Sequence, residues 1–156
     1  MDKLWAPWRI KYIQAKKTKG CIFCQKPKQK KDKLNYIIKR KKYAYSMLNI
    51  FPYNNGHILV APYKHEANLD KLVPNEVLEI IDLINENIKI LKLKLKPQGF
   101  NIGVNMGKVA GAGFDNHIHF HIVPRWAADT NFMPIITGTK IISQSLDELY
   151  EVLTLK

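Results

Sequence analysis

Residues 117–123 read "HIHFHIV": three histidines alternate with Ile118 and Phe120 before the stretch closes in Ile122 and Val123. Strict period two marks a β-strand, because successive side chains of a strand point to opposite faces. His117, His119 and His121 then share one face, spaced about 6.5–7 Å from one to the next. Ile118, Phe120 and Ile122 face the core, and Pro124 stops the strand. One histidine is more often a hydrogen-bonded, half-buried side chain than a ligand. Three in register are another matter, since they would repel one another if charged and the row costs stability unless it has a role.

Working outward, "GKVAGAG" (107–113) is a Gly/Ala loop, and "GFNIGVN" (99–105) ahead of it reads as a strand. Residues 74–96 form the clearest helix. Val77, Ile80, Ile81, Ile84, Ile88, Leu91 and Leu95 recur at three- and four-residue spacing, Pro74 suits the first turn, and Pro97 ends it. "NYIIK" and "YAYSMLNI" have strand character, "PYNNG" (52–56) is a turn by its Asn-Gly chemistry, and "HILVAP" reads as a buried strand ended by Pro62. "TKIIS" reads as a last strand and Leu146–Leu155 as a short helix. Consecutive strands with short connections favour antiparallel pairing. The expectation is an α+β domain, with a long helix covering an antiparallel sheet.

A length of 156 residues suits one domain, 1–156, whose first 20 residues form an irregular arm carrying Trp5 and Trp8. With 46% hydrophobic residues the chain is globular rather than disordered. No apolar run approaches the roughly 18–20 residues that span a bilayer, and the start is no secretory signal, so a cytoplasmic protein is expected. The net charge is +12, from 25 Lys+Arg against 13 Asp+Glu, and much of the excess lies between Lys16 and Lys42. That stretch could meet a polyanion. It has few aromatics and no nucleic-acid motif, so a solvated face is the favoured reading over nucleic-acid binding. The field would still draw in an anionic small substrate.

Gly107, Gly111 and Gly113 allow backbone N–H groups to approach an anion. Beside three imidazoles in a basic chain, they point to a phosphate ester with a histidine placed to attack phosphorus. A three-histidine catalytic metal site is the rival, but the outer imidazoles of a straight strand are too far apart to share one ion easily. "GCIFC" places Cys21 and Cys24 too close to staple distant parts of a fold, and its surroundings suit a redox pair poorly, which leaves half of a zinc site. A mixed scheme fits best: His117 joins Cys21, Cys24 and one further histidine, and the other two histidines stay free for chemistry.

"HIHFHIV" with its flanking "PRW…DTNFMP" resembles the signature of the histidine triad family of nucleotide hydrolases and transferases, in particular its branch of bacterial diadenosine tetraphosphate phosphorylases. "LWAPWRIKYI", "GCIFC" and "NIFPYNNGHILVAPYKH" extend the resemblance over nearly the whole chain. It implies an α+β fold whose sheet continues across a homodimer, with tetramers a further option. It implies that His119 attacks the α-phosphorus to form a nucleotidyl-histidine, released by water in hydrolases and by inorganic phosphate in phosphorylases. It implies that His121 steadies the α-phosphate, that His57 lines the same pocket, that Asn49 binds ribose and that Asn105 lies near the phosphates. A structural zinc on Cys21, Cys24, His65 and His117 is implied as well. Phosphorolysis of diadenosine tetraphosphate to ATP and ADP is the expected activity. Hydrolysis of dinucleoside polyphosphates or nucleoside phosphoramidates is the alternative, and a non-catalytic nucleotide- or RNA-binding module the second. Two departures concern the acceptor: Asn116 precedes the triad where Asp is common, and Ala127-Ala128 follows "PRW" where Asn-Gly is common.

Overall fold

The computed structural model describes residues 20–127, 129 and 142–155. The N-terminal arm with Trp5 and Trp8, and most of "TKIIS", lie outside them. The elements are helix α1 (Ile22–Lys28), helix α2 (Asp32–Asn35), strands β1 (Ile37–Arg40), β2 (Ala44–Leu48) and β3 (Ile58–Pro62), helix α3 (Pro74–Leu95), strands β4 (Gly99–Val104) and β5 (Phe120–Arg125), and helix α4 (Leu146–Thr154). The five strands form one antiparallel sheet in the order β1-β2-β3-β5-β4. The expected α+β architecture is present, with the long helix across the sheet.

Helix α3 starts at Pro74, whose missing N–H costs nothing in a first turn, and the Glu76 carboxylate accepts from the Val73 N–H at 2.9 Å. Its buried line is Ile80, Leu83, Ile84, Asn87 and Leu91. The stripe is thus rotated from the one read in the sequence, since Ile81 is 45% exposed while Leu83 is fully buried. Asn87 is the polar member of the line. It donates to Leu83 O at 2.7 Å and accepts from the Ser46 hydroxyl at 3.3 Å, so its burial leaves both ends of the amide paired. Glu79 of the same helix accepts from the backbone N–H groups of Tyr43 and Ala44 and ties down the start of β2. Helix α4 opens with a reciprocal capping box between Ser145 and Glu148 and docks on β1 through the Tyr150 hydroxyl, which donates to Ile37 O.

The sheet sorts its side chains into two cores. Ala44, Leu48, Ile58, Val60, Ile118 and Ile122 face α3 and α4. Tyr45, Met47, Leu59 and Ala61 pack on the other face with Phe23 of α1. Helices α1 and α2 are not expected from the sequence; α1 is seven residues long with Pro27 inside it, so no periodic pattern announces it.

The "PYNNG" turn closes on Gly56 at φ +78°. A Cβ there would meet Leu95 Cδ1 at 2.9 Å, Pro124 Cγ at 3.0 Å and Leu91 Cδ2 at 3.2 Å. Gly56→Ala therefore combines overpacking with a left-handed backbone, a cost of about 2–4 kcal/mol. At Gly99 a Cβ meets nothing within 4 Å. Thermal unfolding of the two variants should show a fall in Tm of roughly 5 °C or more for Gly56→Ala and near-wild-type behaviour for Gly99→Ala.

Candidate active site

Strand β5 begins only at Phe120, so His117, at a bend, and His119 lie in the segment leading into it rather than in the strand itself. The alternation survives nonetheless. Ile118 and Ile122 are buried in the core under α3, and His119 and His121 share the opposite face with Leu59, to which His121 is paired. The His119 and His121 ring centroids are 5.1 Å apart. His57, one residue before β3, reaches the same face, and its Nε2 lies 2.9 Å from His121 Nδ1.

The hydrogen-bond partners settle which nitrogen of each neutral ring carries the proton, because a carbonyl can only accept and a backbone N–H can only donate. His119 Nδ1 lies 2.8 Å from the carbonyl of His117, so Nδ1–H donates there and Nε2 presents its lone pair. His57 Nδ1 accepts from the Tyr53 N–H at 3.0 Å, so His57 donates from Nε2 to His121 Nδ1. His121 must then carry its own proton on Nε2, and that atom is buried without a hydrogen-bond partner among the described residues. The site thus sets a bare imidazole nitrogen beside an unsatisfied N–H donor.

Burial keeps these rings uncharged. It pushes His57 down to about 3, helped by the repulsion that charge on His121 and His119 would add. Burial, then the proximity of His119, pushes His121 down to about 4, and burial also lowers His119. Phe23 stacks on His119 at 4.6 Å between centroids, and the Tyr53 ring lies nearly parallel to His121 at 5.6 Å. Both aromatic rings exclude water from the imidazoles.

A second cluster adjoins the first. Cys21 caps the start of α1 and Cys24 follows one turn later, His65 lies beyond the end of β3, and His117 precedes β5. Their ligand atoms all lie within 4.8 Å of one another. His117 Nε2–H donates to Pro62 O at 3.0 Å, which leaves Nδ1 as the lone pair. That single lone pair faces Cys21 Sγ at 3.3 Å, Cys24 Sγ at 3.6 Å and His65 Nδ1 at 3.2 Å. Zn–S and Zn–N bonds of about 2.3 and 2.0–2.1 Å at tetrahedral angles imply ligand–ligand edges of about 3.3–3.8 Å. The separations of 3.2–3.6 Å around His117 Nδ1 lie close to those edges, so the cluster could hold a metal ion.

Other residues singled out from the sequence stand further off. Asn49 is half-buried, and its carbonyl oxygen accepts from the Phe51 N–H while its amide nitrogen lies 3.3 Å from His57 Nδ1. Asn105 lies one residue beyond Val104, the last residue of β4, which pairs with Phe120. Gly111 adopts φ +87° but Gly113 has no left-handed φ, and the space beside both is open. That loop reaches the site through Phe114, edge-on to Phe23 at 5.8 Å. Three contributors escaped the sequence reading: Phe23, Tyr53, and Gly103, which pairs with His121 and leaves the space beside it empty. Only Gly103 carried a signal, since a glycine inside a strand often marks a close approach.

A family model described as "HIT domain" matches residues 30–128. The chain is similar to an AP-4-A phosphorylase of Mycobacterium tuberculosis, at 35% identity over 162 residues, which cover 98% of this chain and 83% of that protein. It is also similar to an adenosine 5'-monophosphoramidase of Candida albicans, at 31% identity over 68% of this chain and 70% of that one. Among solved structures, a Zn-bound histidine triad family protein from Mycobacterium smegmatis matches with a TM-score of 0.70 and 25% identity, over 86% of this chain and 91% of that one.

The depressed histidines make stability depend on acid. Above about pH 6.5 the imidazoles are neutral whether the chain is folded or not. Below it the unfolded chain takes up protons that folded His57 refuses until about 3 and folded His121 until about 4. Stability is therefore lost as pH falls from about 6.5 toward 4. In urea titrations across that range, His57→Gln should reduce the proton uptake on unfolding near pH 5 by about one.

Proposed function

This chain belongs to the HIT domain family, and on that footing we propose that it cleaves diadenosine tetraphosphate by phosphorolysis, giving ATP and ADP through an AMP adduct on His119. The observation that carries the reading is the pairing of a lone pair on His119 Nε2 with an unsatisfied N–H on His121 Nε2. In the first step His119 Nε2 attacks the α-phosphorus, a P–N bond forms, and the P–O bond to the departing ATP breaks. The carbonyl of His117 holds the Nδ1 proton and favours the charge that grows on the ring. His121 Nε2–H donates to an equatorial phosphoryl oxygen as negative charge develops there. In the second step an oxygen of inorganic phosphate attacks phosphorus from the opposite side, ADP leaves, and the P–N bond returns its electrons to His119.

The similarity to an AP-4-A phosphorylase along 98% of the chain favours phosphate as acceptor. Water is the second reading, because the similarity also reaches an adenosine 5'-monophosphoramidase. Asn49 and Asn105 are the candidates to bind ribose and phosphate, with Gly111 and Gly113 on the loop beside them. A homodimer joined along the outer edge of β4 belongs to the same proposal. Exposed Ile102 on that strand and exposed Leu78 and Ile81 on α3 support it.

Zinc on Cys21, Cys24, His65 and His117 completes the reading, supported by the convergence of the four ligand atoms within 4.8 Å and by the zinc in the similar mycobacterial structure. Four protein ligands leave no open position, so the ion would stiffen the join between α1 and the segment before β5 rather than touch substrate.

His119→Ala should abolish turnover and the acid-labile adduct; normal turnover in that variant rejects the mechanism. Diadenosine tetraphosphate incubated with phosphate should yield ATP and ADP, and without phosphate the reaction should stall. AMP plus ATP at equal rates in both mixtures would identify a hydrolase. Elemental analysis should find about one zinc per chain, lost in the Cys21→Ser, Cys24→Ser double variant.

A further inference from the structure

The unsatisfied His121 donor depends on a proton pattern that neither His57 nor His121 can set alone. An isolated imidazole exchanges its proton between two nitrogens, and in a pair each ring accepts whatever its neighbour offers. Here the pattern starts from the backbone N–H of Tyr53, which points at His57 Nδ1 from 3.0 Å, with the Asn49 amide nitrogen a second, longer donor at 3.3 Å. What aims that N–H is the turn on which it sits.

The turn is held from outside the site. Asn54 is 5% exposed and spends both amide protons on it, one on Pro124 O at 2.9 Å and one on Asp129 Oδ2 at 2.8 Å. Its own carbonyl accepts the His57 backbone N–H at 3.2 Å. The Asp129 carboxylate is almost wholly covered and is also held by Arg125 through Nε and Nη2 and by the Trp126 N–H. Arg125 is anchored in turn by Nη1 to Asn101 Oδ1 on β4. A charged clamp at the end of β5, covered at Asp129 and Asn54 and open to solvent at Arg125, therefore reaches across to the turn ahead of β3.

We infer that Asp129 and Asn54 are positioning residues for the site: they hold the Pro52–Gly56 turn so that Tyr53 N–H locks His57 as an Nε2 donor, which makes His121 an Nε2–H donor to a phosphoryl oxygen. The last link rests on the function proposed above. Neither residue touches the reacting atoms. Loss of the clamp lets the turn swing and withdraws the nearer of the two donors at His57 Nδ1, so that His57 populates both tautomers and His121 Nε2 spends part of its time as a lone pair facing an anion. Nucleophile and binding groups are untouched, so the loss falls on turnover rather than on substrate binding.

The test reads protons directly. In full-length chain labelled with 15N-histidine, long-range 1H–15N spectra near neutral pH should show His57 and His121 protonated on Nε2 alone. In Asp129→Asn, which keeps the shape but cannot accept from every donor around it, both rings should shift to mixed tautomers. The turnover number on diadenosine tetraphosphate should fall about ten- to hundredfold, with KM within about twofold. Asn54→Ser should give the same pattern and serves if Asp129→Asn fails to fold. Wild-type His121 protonated on Nδ1, or unmixed tautomers in a folded variant, or mixed tautomers with unchanged turnover, would each overturn the inference. Wild-type tautomers as stated with no AMP adduct on His119 would instead overturn the proposed reaction and leave the positioning of the protons standing.

Discussion

Burial of Ile118 and Ile122 under helix α3 is the constraint on which the rest depends. Both side chains are almost inaccessible, and each lies next to a histidine in the chain. With the apolar residues committed to the helix-covered face, the pleat sends His119 and His121 to the other. Hydrophobic burial on one side of β5 thereby aims the chemistry on the other. A slip of one residue would put imidazoles in the apolar core and isoleucines in the site, which is why register here is strongly specified.

Desolvation then gives the histidines their state. The second face is closed by Phe23 from the Cys-x-x-Cys helix and by Tyr53 from the turn, so the imidazoles are held neutral well below their usual pKa. Neutral rings have tautomers, and here backbone groups bias each one: the carbonyl of His117 for His119, the carbonyl of Pro62 for His117, and the N–H of Tyr53, beside the Asn49 amide, for His57. One segment of seven residues thus serves two clusters. His117 offers Nδ1 to the thiols while its carbonyl orients the imidazole two residues on, so the metal-type cluster and the candidate nucleophile share a backbone.

Much of the fold was legible because it follows from periodicity. Helix α3, helix α4 and the histidine strand carry 3.6- or two-residue patterns, whereas β1 and β2 are marked by β-branched and aromatic residues and β3 by a short apolar run ended by Pro62. Helices α1 and α2 carry none, being too short to complete a stripe; α1 docks through Phe23, and α2 is tied in by Asn35 to Lys26 O and Gln29 and by Asp32 to Arg40. The buried line of α3 takes Leu83 in place of Ile81, since hydrophobicity marks a stripe's width and only packing selects its centre. Asn87 illustrates the same limit: it is a polar residue in the middle of the core, admitted because Ser46 and the Leu83 carbonyl meet it.

For the site, the residue types with intrinsic chemistry stood out in the chain: three alternating histidines, two cysteines a turn apart, and a histidine after each of two turns. Local covalent order determines which of these share a face, so the sequence alone separates His119 and His121 from the isoleucines between them. It cannot say which nitrogen of His121 bears the proton, nor that Phe23, Tyr53, Asn54 and Asp129 matter. Those properties depend on atoms brought together from positions dozens of residues apart. Only the tertiary structure, by closing the turn before β3 onto the end of β5, decided that the row of histidines would be a lone pair beside a donor.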